Sequence, residues 1–171
     1  LTAVPVVTLA SASEAATNGT AVVTPTTGLD PAGDTVTVTG SGYPEGVGVY
    51  VRFCVAPTGE VGTPEGRASN CDGQGVWANA TVPGPGTTPM TGGAFSTTLP
   101  VAAAFGDPAV DCSEPGSCGV AIRRDHMGGG SDYSQDQFIP LTFEPPAPPA
   151  GNAVVTPTTG LDPAGDTVTV T

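Results

Sequence analysis

Apolar and polar side chains alternate one for one along DTVTVTG (residues 34–40) and along VGVYVRFCV (residues 47–55). A period of two sends successive side chains to opposite faces of an extended strand, so each run carries one apolar face that needs a cover. Gly, Pro and Asp cut the runs short, and no stretch repeats its apolar residues at a period near 3.6. The chain therefore reads as all-β. Further strands are expected at 21–25, 75–82, 94–101, 118–124 and 137–144. About seven short strands separated by frequent turns are the pattern of a two-sheet sandwich. The run 47–55 is the expected central strand.

A second feature concerns organisation. AVVTPTTGLDPAGDTVTVT at 21–39 recurs letter for letter at 153–171. Each copy follows a connector: ASEAATNGT (12–20) is small and polar, and EPPAPPAGN (144–152) is Pro-rich and stiff. Each connector follows an apolar hexamer, VPVVTL or FIPLTF. The expected division is a strand of a preceding unit or a leader remnant at 1–11, a linker at 12–20, a domain at 21–143, a linker at 144–152, and the opening strands of a next unit or a donor segment at 153–171. A lone hairpin cannot bury its apolar face. The second copy is therefore expected to pair outside the central domain, through Ala153, Val154, Val155, Val168 and Val170, with Val4, Val6 and Leu9 at the other end.

The formal charge is −12, and the four cations are all arginine: Arg52, Arg67, Arg123 and Arg124. Such a balance repels phosphate backbones and anionic membranes, which excludes nucleic acid as a partner and gives no reason for membrane insertion. No segment is long and apolar enough to span a bilayer. Without lysine the chain cannot supply the amine for isopeptide cross-links, and it has no LPxTG signal. Cys54, Cys71, Cys112 and Cys118 form an even set without a CxxC pair. They read as two disulfides in an oxidising, extracellular setting, with three pairings open.

VTPTTGLDPAGDTVTVTGSGY (23–43) and VDC-x5-CGVAIR (110–123) resemble the opening and the short disulfide loop of the neocarzinostatin-like apoproteins of actinobacteria. The RRDH run (123–126) and SDYSQDQFIPLTF (131–143) look closer still to related modules of secreted actinobacterial cell-surface proteins. The resemblance covers about 21–143. It implies an immunoglobulin-like sandwich and the pairs Cys54–Cys71 and Cys112–Cys118. Those apoproteins hold an aromatic enediyne in a cleft walled by large aromatics. Here Ala56 stands where they carry a Trp two residues after the first cysteine, and the Phe-rich hairpin is reduced to AAAFGDPAVDC with only Phe105.

Other chemistry-bearing residues have ordinary readings. His126, the one histidine, lies in RRDHMGGGSD beside Asp125, but no GxSxG elbow accompanies it, so it reads as a loop residue and the chain as no enzyme. Asp30, Asp34, Asp162 and Asp166 occupy two DPAGD turns without Ca²⁺-loop spacing and read as turn formers, so no metal or cofactor is expected. Arg123 and Arg124 read as partners for the chain's own carboxylates. Tyr50 and Trp77 read as strand residues that pack on a sheet, and with Phe105 they form the candidate ligand patch. Asn18 and Asn79 fall in N-x-T sequons.

Together these observations give the expectation of a structural subunit of an extracellular, cell-surface fibre. Its partners would be other copies of the chain, joined by strand addition or tandem repetition in an array. The alternatives are a binding module for a small hydrophobic ligand, enediyne-like or haem-like, and a surface adhesin.

Overall fold

A computed structural model describes residues 18–128, 130–145, 155–156 and 158–170. Two sheets face each other. The smaller has the order β1 (Thr20–Thr24), β2 (Asp34–Ser41), β6 (Phe95–Val101). The larger has the order β10 (Gln137–Pro140), β9 (Cys118–Arg124), β3 (Val49–Val55), β4 (Cys71–Asn79), β5 (Thr87–Pro89). The all-β two-sheet sandwich expected from the alternation is what forms, of the immunoglobulin-like kind that the resemblance implies, with β3 in the middle of the larger sheet. A separate two-residue ribbon pairs β7 (Ala104–Phe105) with β8 (Val110–Asp111).

The alternation does the sorting. Val36, Val38 and Leu99 of the small sheet and Val49, Val51, Phe53, Val120 and Ile122 of the large one are buried in a single cluster. Burying such a side chain contributes about 1.5–3 kcal/mol, and their polar neighbours Thr35, Thr37 and Thr39 stay outside. Gly40 pairs with Phe95 across the β2–β6 ladder, and a Cβ there would collide with the Phe95 ring. The tail after β10 crosses to the first turn. Thr142 N–H donates to Thr26 O (2.9 Å) and Glu144 N–H to Leu29 O (2.8 Å), which closes the sandwich over Leu29 and Phe143.

Cys54 bonds Cys71 and Cys112 bonds Cys118. The first bridge ties the end of β3 to the start of β4, in register with the ladder pair Cys54↔Cys71. β4 therefore begins at Cys71, earlier than the apolar pattern indicates. CDGQG has no apolar alternation of its own and is held by the disulfide and the neighbouring strand.

The second copy of the repeat forms a short hairpin of its own. β11 (Val155–Thr156) pairs with β12 (Thr169–Val170), both within the copy. The register Val155↔Val170 and Thr156↔Thr169 reproduces Val23↔Val38 and Thr24↔Thr37 of the first copy. The turn is reproduced too: Ala164 N–H donates to Asp162 Oδ1 and Asp162 N–H to Asp166 Oδ2, as Ala32 and Asp30 do to Asp30 and Asp34. Turn and register are local properties of the sequence, whereas burial is not. Leu161 is 45% exposed where Leu29 is 0%, and Val168 is 39% exposed where Val36 is 0%. Val4, Val6, Leu9, Ala153 and Val154 lie outside the described residues.

Candidate functional site

The outer face of the large sheet carries the site. Inward side chains on β3 alternate with Tyr50 and Arg52, which face away from the core. Register then sets their neighbours: Tyr50 lies between Trp77 of β4 and Arg123 of β9, and Arg52 between Gly75 and Ala121. Three large side chains thus stand in a row across three strands. The next row is low because its flanking residues are Gly and Ala. A Cβ on Gly75 would meet Arg52 Cγ at 3.0 Å and Nε at 3.3 Å, so glycine is what lets Arg52 lie flat on the floor.

Loops raise walls around this floor and enclose a cleft of about 830 Å³. His126 leans in from the turn after β9. Its Nδ1 is 2.6 Å from the Tyr50 hydroxyl, and its ring lies 5.0 Å from that of Trp77 and 6.1 Å, nearly parallel, from that of Tyr50. Tyr50 and Trp77 are 6.2 Å apart. Asp125 fixes the cluster from below: it is 3% exposed, and its Oδ2 accepts the Trp77 indole N–H at 3.0 Å. Its Oδ1 accepts Met127 N–H and lies 3.2 Å from Arg124 Nη1.

The opposite wall is the loop closed by Cys54–Cys71. Arg67 grips the 130–136 segment from it, pairing Nε and Nη2 with the two carboxylate oxygens of Asp136 at 2.7 Å each. It also donates to Gly130 O (2.9 Å) and Asp132 O, and its guanidinium lies 4.2 Å from the Tyr133 ring centre. The hydrogen bond to Asp136 holds the Arg67 pKa above its already high ordinary value. Asp132 is held below the ordinary carboxylate range, chiefly by accepting from Ser134 and further by Arg124.

Of the candidate ligand patch, Tyr50 and Trp77 come together and Phe105 does not join them. Phe105 packs on Phe53 (5.4 Å) and lines a separate cleft of about 640 Å³ with Asp34, Asp72 and Gln74. Arg67, Asp125 and His126 belong to the site, although nothing in their local sequence places them there. Their contacts span 48 to 76 positions. The DPAGD carboxylates are occupied as turn acceptors, and no group of three or more metal-ligating side chains occurs among the described residues. Asn79, in the second sequon, is 5% exposed and its side chain bonds Thr81, Val82 and Trp77 backbone groups.

Fold and site together define a disulfide-stapled β-sandwich with an aromatic cleft on the outside of one sheet. Residues 21–135 match the model of the Neocarzinostatin family, and the chain belongs to that family. Two solved structures match this chain. Macromomycin is 23% identical, with a TM-score of 0.49 over 74% of this chain and 99% of that one. The solution conformation of apokedarcidin is 20% identical, with a TM-score of 0.43 over 75% of this chain and 100% of that one. No curated protein sequence matches. Family membership overturns the expectation of a fibre subunit whose partners are copies of itself, because the matched module is that of ligand-binding apoproteins.

Proposed function

We propose that residues 21–143 form a binding module that carries a small aromatic ligand in the cleft over β3, β4 and β9, and that the protein is not an enzyme. The observation that carries this reading is the cluster of half-buried Tyr50 and Trp77 on an outward sheet face with exposed His126 against them. Large aromatics normally go into the core; here they are held outward by register and by the Asp125 anchor, at the floor of a cleft of ligand size. The family's ligand-binding members support the same reading. We further propose an extracellular site of action at the cell surface, supported by two disulfides. The RRDH run and the SDYSQDQFIPLTF tail support kinship with modules of secreted actinobacterial surface proteins.

The test uses N-phenyl-1-naphthylamine, a neutral planar dye. Wild-type protein is expected to raise its emission saturably, with energy transfer from Trp77, the one tryptophan. Trp77→Ala should weaken binding about tenfold, equivalent to about 1.4 kcal/mol of lost stacking. Absence of saturable binding, or equal affinity in Trp77→Ala, would refute the proposal.

A further inference from the structure

The chain has four arginines and no lysine against 16 acidic residues, and all four arginines line the cleft over β3, β4 and β9. Chance placement on a surface so rich in carboxylates would scatter them. Two of the four are accounted for structurally: Arg67 by Asp136, and Arg124 by Asp125 and Asp132. The other two are not. Among the described residues, neither Arg52 nor Arg123 has a carboxylate oxygen within 4.0 Å. Arg52 makes one bond to protein oxygen, from Nη2 to the backbone carbonyl of Asp72 (2.9 Å), while Asp72 itself lines the other cleft. The Arg123 guanidinium lies 5.6 Å from the Tyr50 ring centre. Both side chains are half-buried, so their charge is partly stripped of water without an anion to compensate it.

Both line the same cleft. Arg52 sits opposite Ala121, two residues before Arg123 on the neighbouring strand. Diagonal neighbours of this kind are about 7–8 Å apart. Arg123 lies beside the Tyr50 ring, and Arg52 lies over Gly75 with Nη2 on Asp72 O, so the two charges face the cleft from either side of β3. The guanidinium fork matches a carboxylate, sulfonate or phosphate, and it also stacks on planar rings.

We infer that the ligand is an aromatic acid. Its ring system lies on Tyr50, Trp77 and His126, and its anionic group meets the positive charge that Arg52 and Arg123 bring to the same cleft. This rests on the proposed binding function and adds the ligand's charge. The second cleft makes the contrast, since Asp34 and Asp72 line it without an arginine and would repel the same molecule.

A matched pair of dyes tests it: 8-anilinonaphthalene-1-sulfonate and N-phenyl-1-naphthylamine share a ring system and differ by the sulfonate. At about 20 mM salt the sulfonate dye is expected to bind at least about tenfold tighter, despite the chain's net charge of −12. The gap should close towards unity near 1 M salt, where the screening length falls to about 3 Å. Arg52→Gln and Arg123→Gln should each cut the ratio of the two affinities at least about threefold, with unfolding midpoints checked separately. Equal affinity for the two dyes, or a ratio unmoved in both variants, overturns the inference and leaves the binding function standing. Failure of both dyes to bind overturns the binding function and this inference with it.

Discussion

The anchor under the cleft permits a quantitative test. Asp125→Ala removes a nearly fully buried carboxylate that accepts the Trp77 indole N–H (3.0 Å) and the Met127 N–H (3.2 Å) and faces Arg124 (3.2 Å). A hydrogen bond to a charged group contributes about 1.5–3 kcal/mol. Arg124 keeps Gly48 O (3.1 Å) and Asp132 (3.4 Å), so its share of the loss is partial. A total destabilisation of about 2–4 kcal/mol follows. Trp77→Phe keeps an aromatic ring and deletes only the donor among polar groups. In a double-mutant cycle by urea denaturation, followed by far-UV circular dichroism, the two changes should couple by about 1.5 kcal/mol. Asp125→Asn, which keeps an acceptor oxygen and loses the charge, should fall between wild type and alanine. Additivity within about 0.5 kcal/mol would refute the claim that Asp125 acts through the indole.

Four other outcomes are expected. The Asp132 pKa is depressed in the folded protein, so its contribution is complete above the ordinary aspartate pKa and is lost as pH falls through the lower folded value. The difference in urea midpoint between wild type and Asp132→Asn should therefore shrink on acidification below about pH 4. Asn79→Ala leaves the Thr81 and Val82 N–H groups without their acceptor and should destabilise by about 1–3 kcal/mol in the same urea assay. Replacing Cys54 and Cys71 by Ser should lower stability by about 2–4 kcal/mol and weaken dye binding as well, because that bridge closes the loop bearing Arg67. Removal of residues 153–171 should leave the unfolding free energy within about 0.5 kcal/mol of wild type, since Thr156 and residues 158–168 are exposed.

The sandwich was legible because alternation is a local signal. DTVTVTG and VGVYVRFCV state their inner and outer faces residue by residue, and Val36, Val38, Val51 and Phe53 obey. The start of β4 was not legible, because CDGQG is held by a disulfide and a neighbour. Nor was β5, whose three residues TTP pair in parallel with β4 at the sheet edge. The site was legible in part. Tyr50 and Trp77 stood out by type, but their adjacency depends on the β3–β4 register, and Arg67, Asp125 and His126 reach the cleft only through tertiary contacts. The repeat shows what is local and what is not: the turn and first pairs form within each copy, whereas Leu161 and Val168 lack the burial of Leu29 and Val36. The cleft is walled by arginine and loop backbone as much as by rings, so a census of Phe and Trp does not find it.

The central claim is that the outer face of β3, β4 and β9 holds a small aromatic ligand. Amide and indole chemical-shift mapping during titration with 2-naphthol, a neutral planar probe, addresses it most directly. The account predicts saturable shifts confined to Tyr50, Arg52, Gly75, the Trp77 indole, Arg123 and His126. Shifts centred on Phe53, Gln74 and Phe105, or none that saturate, would contradict it.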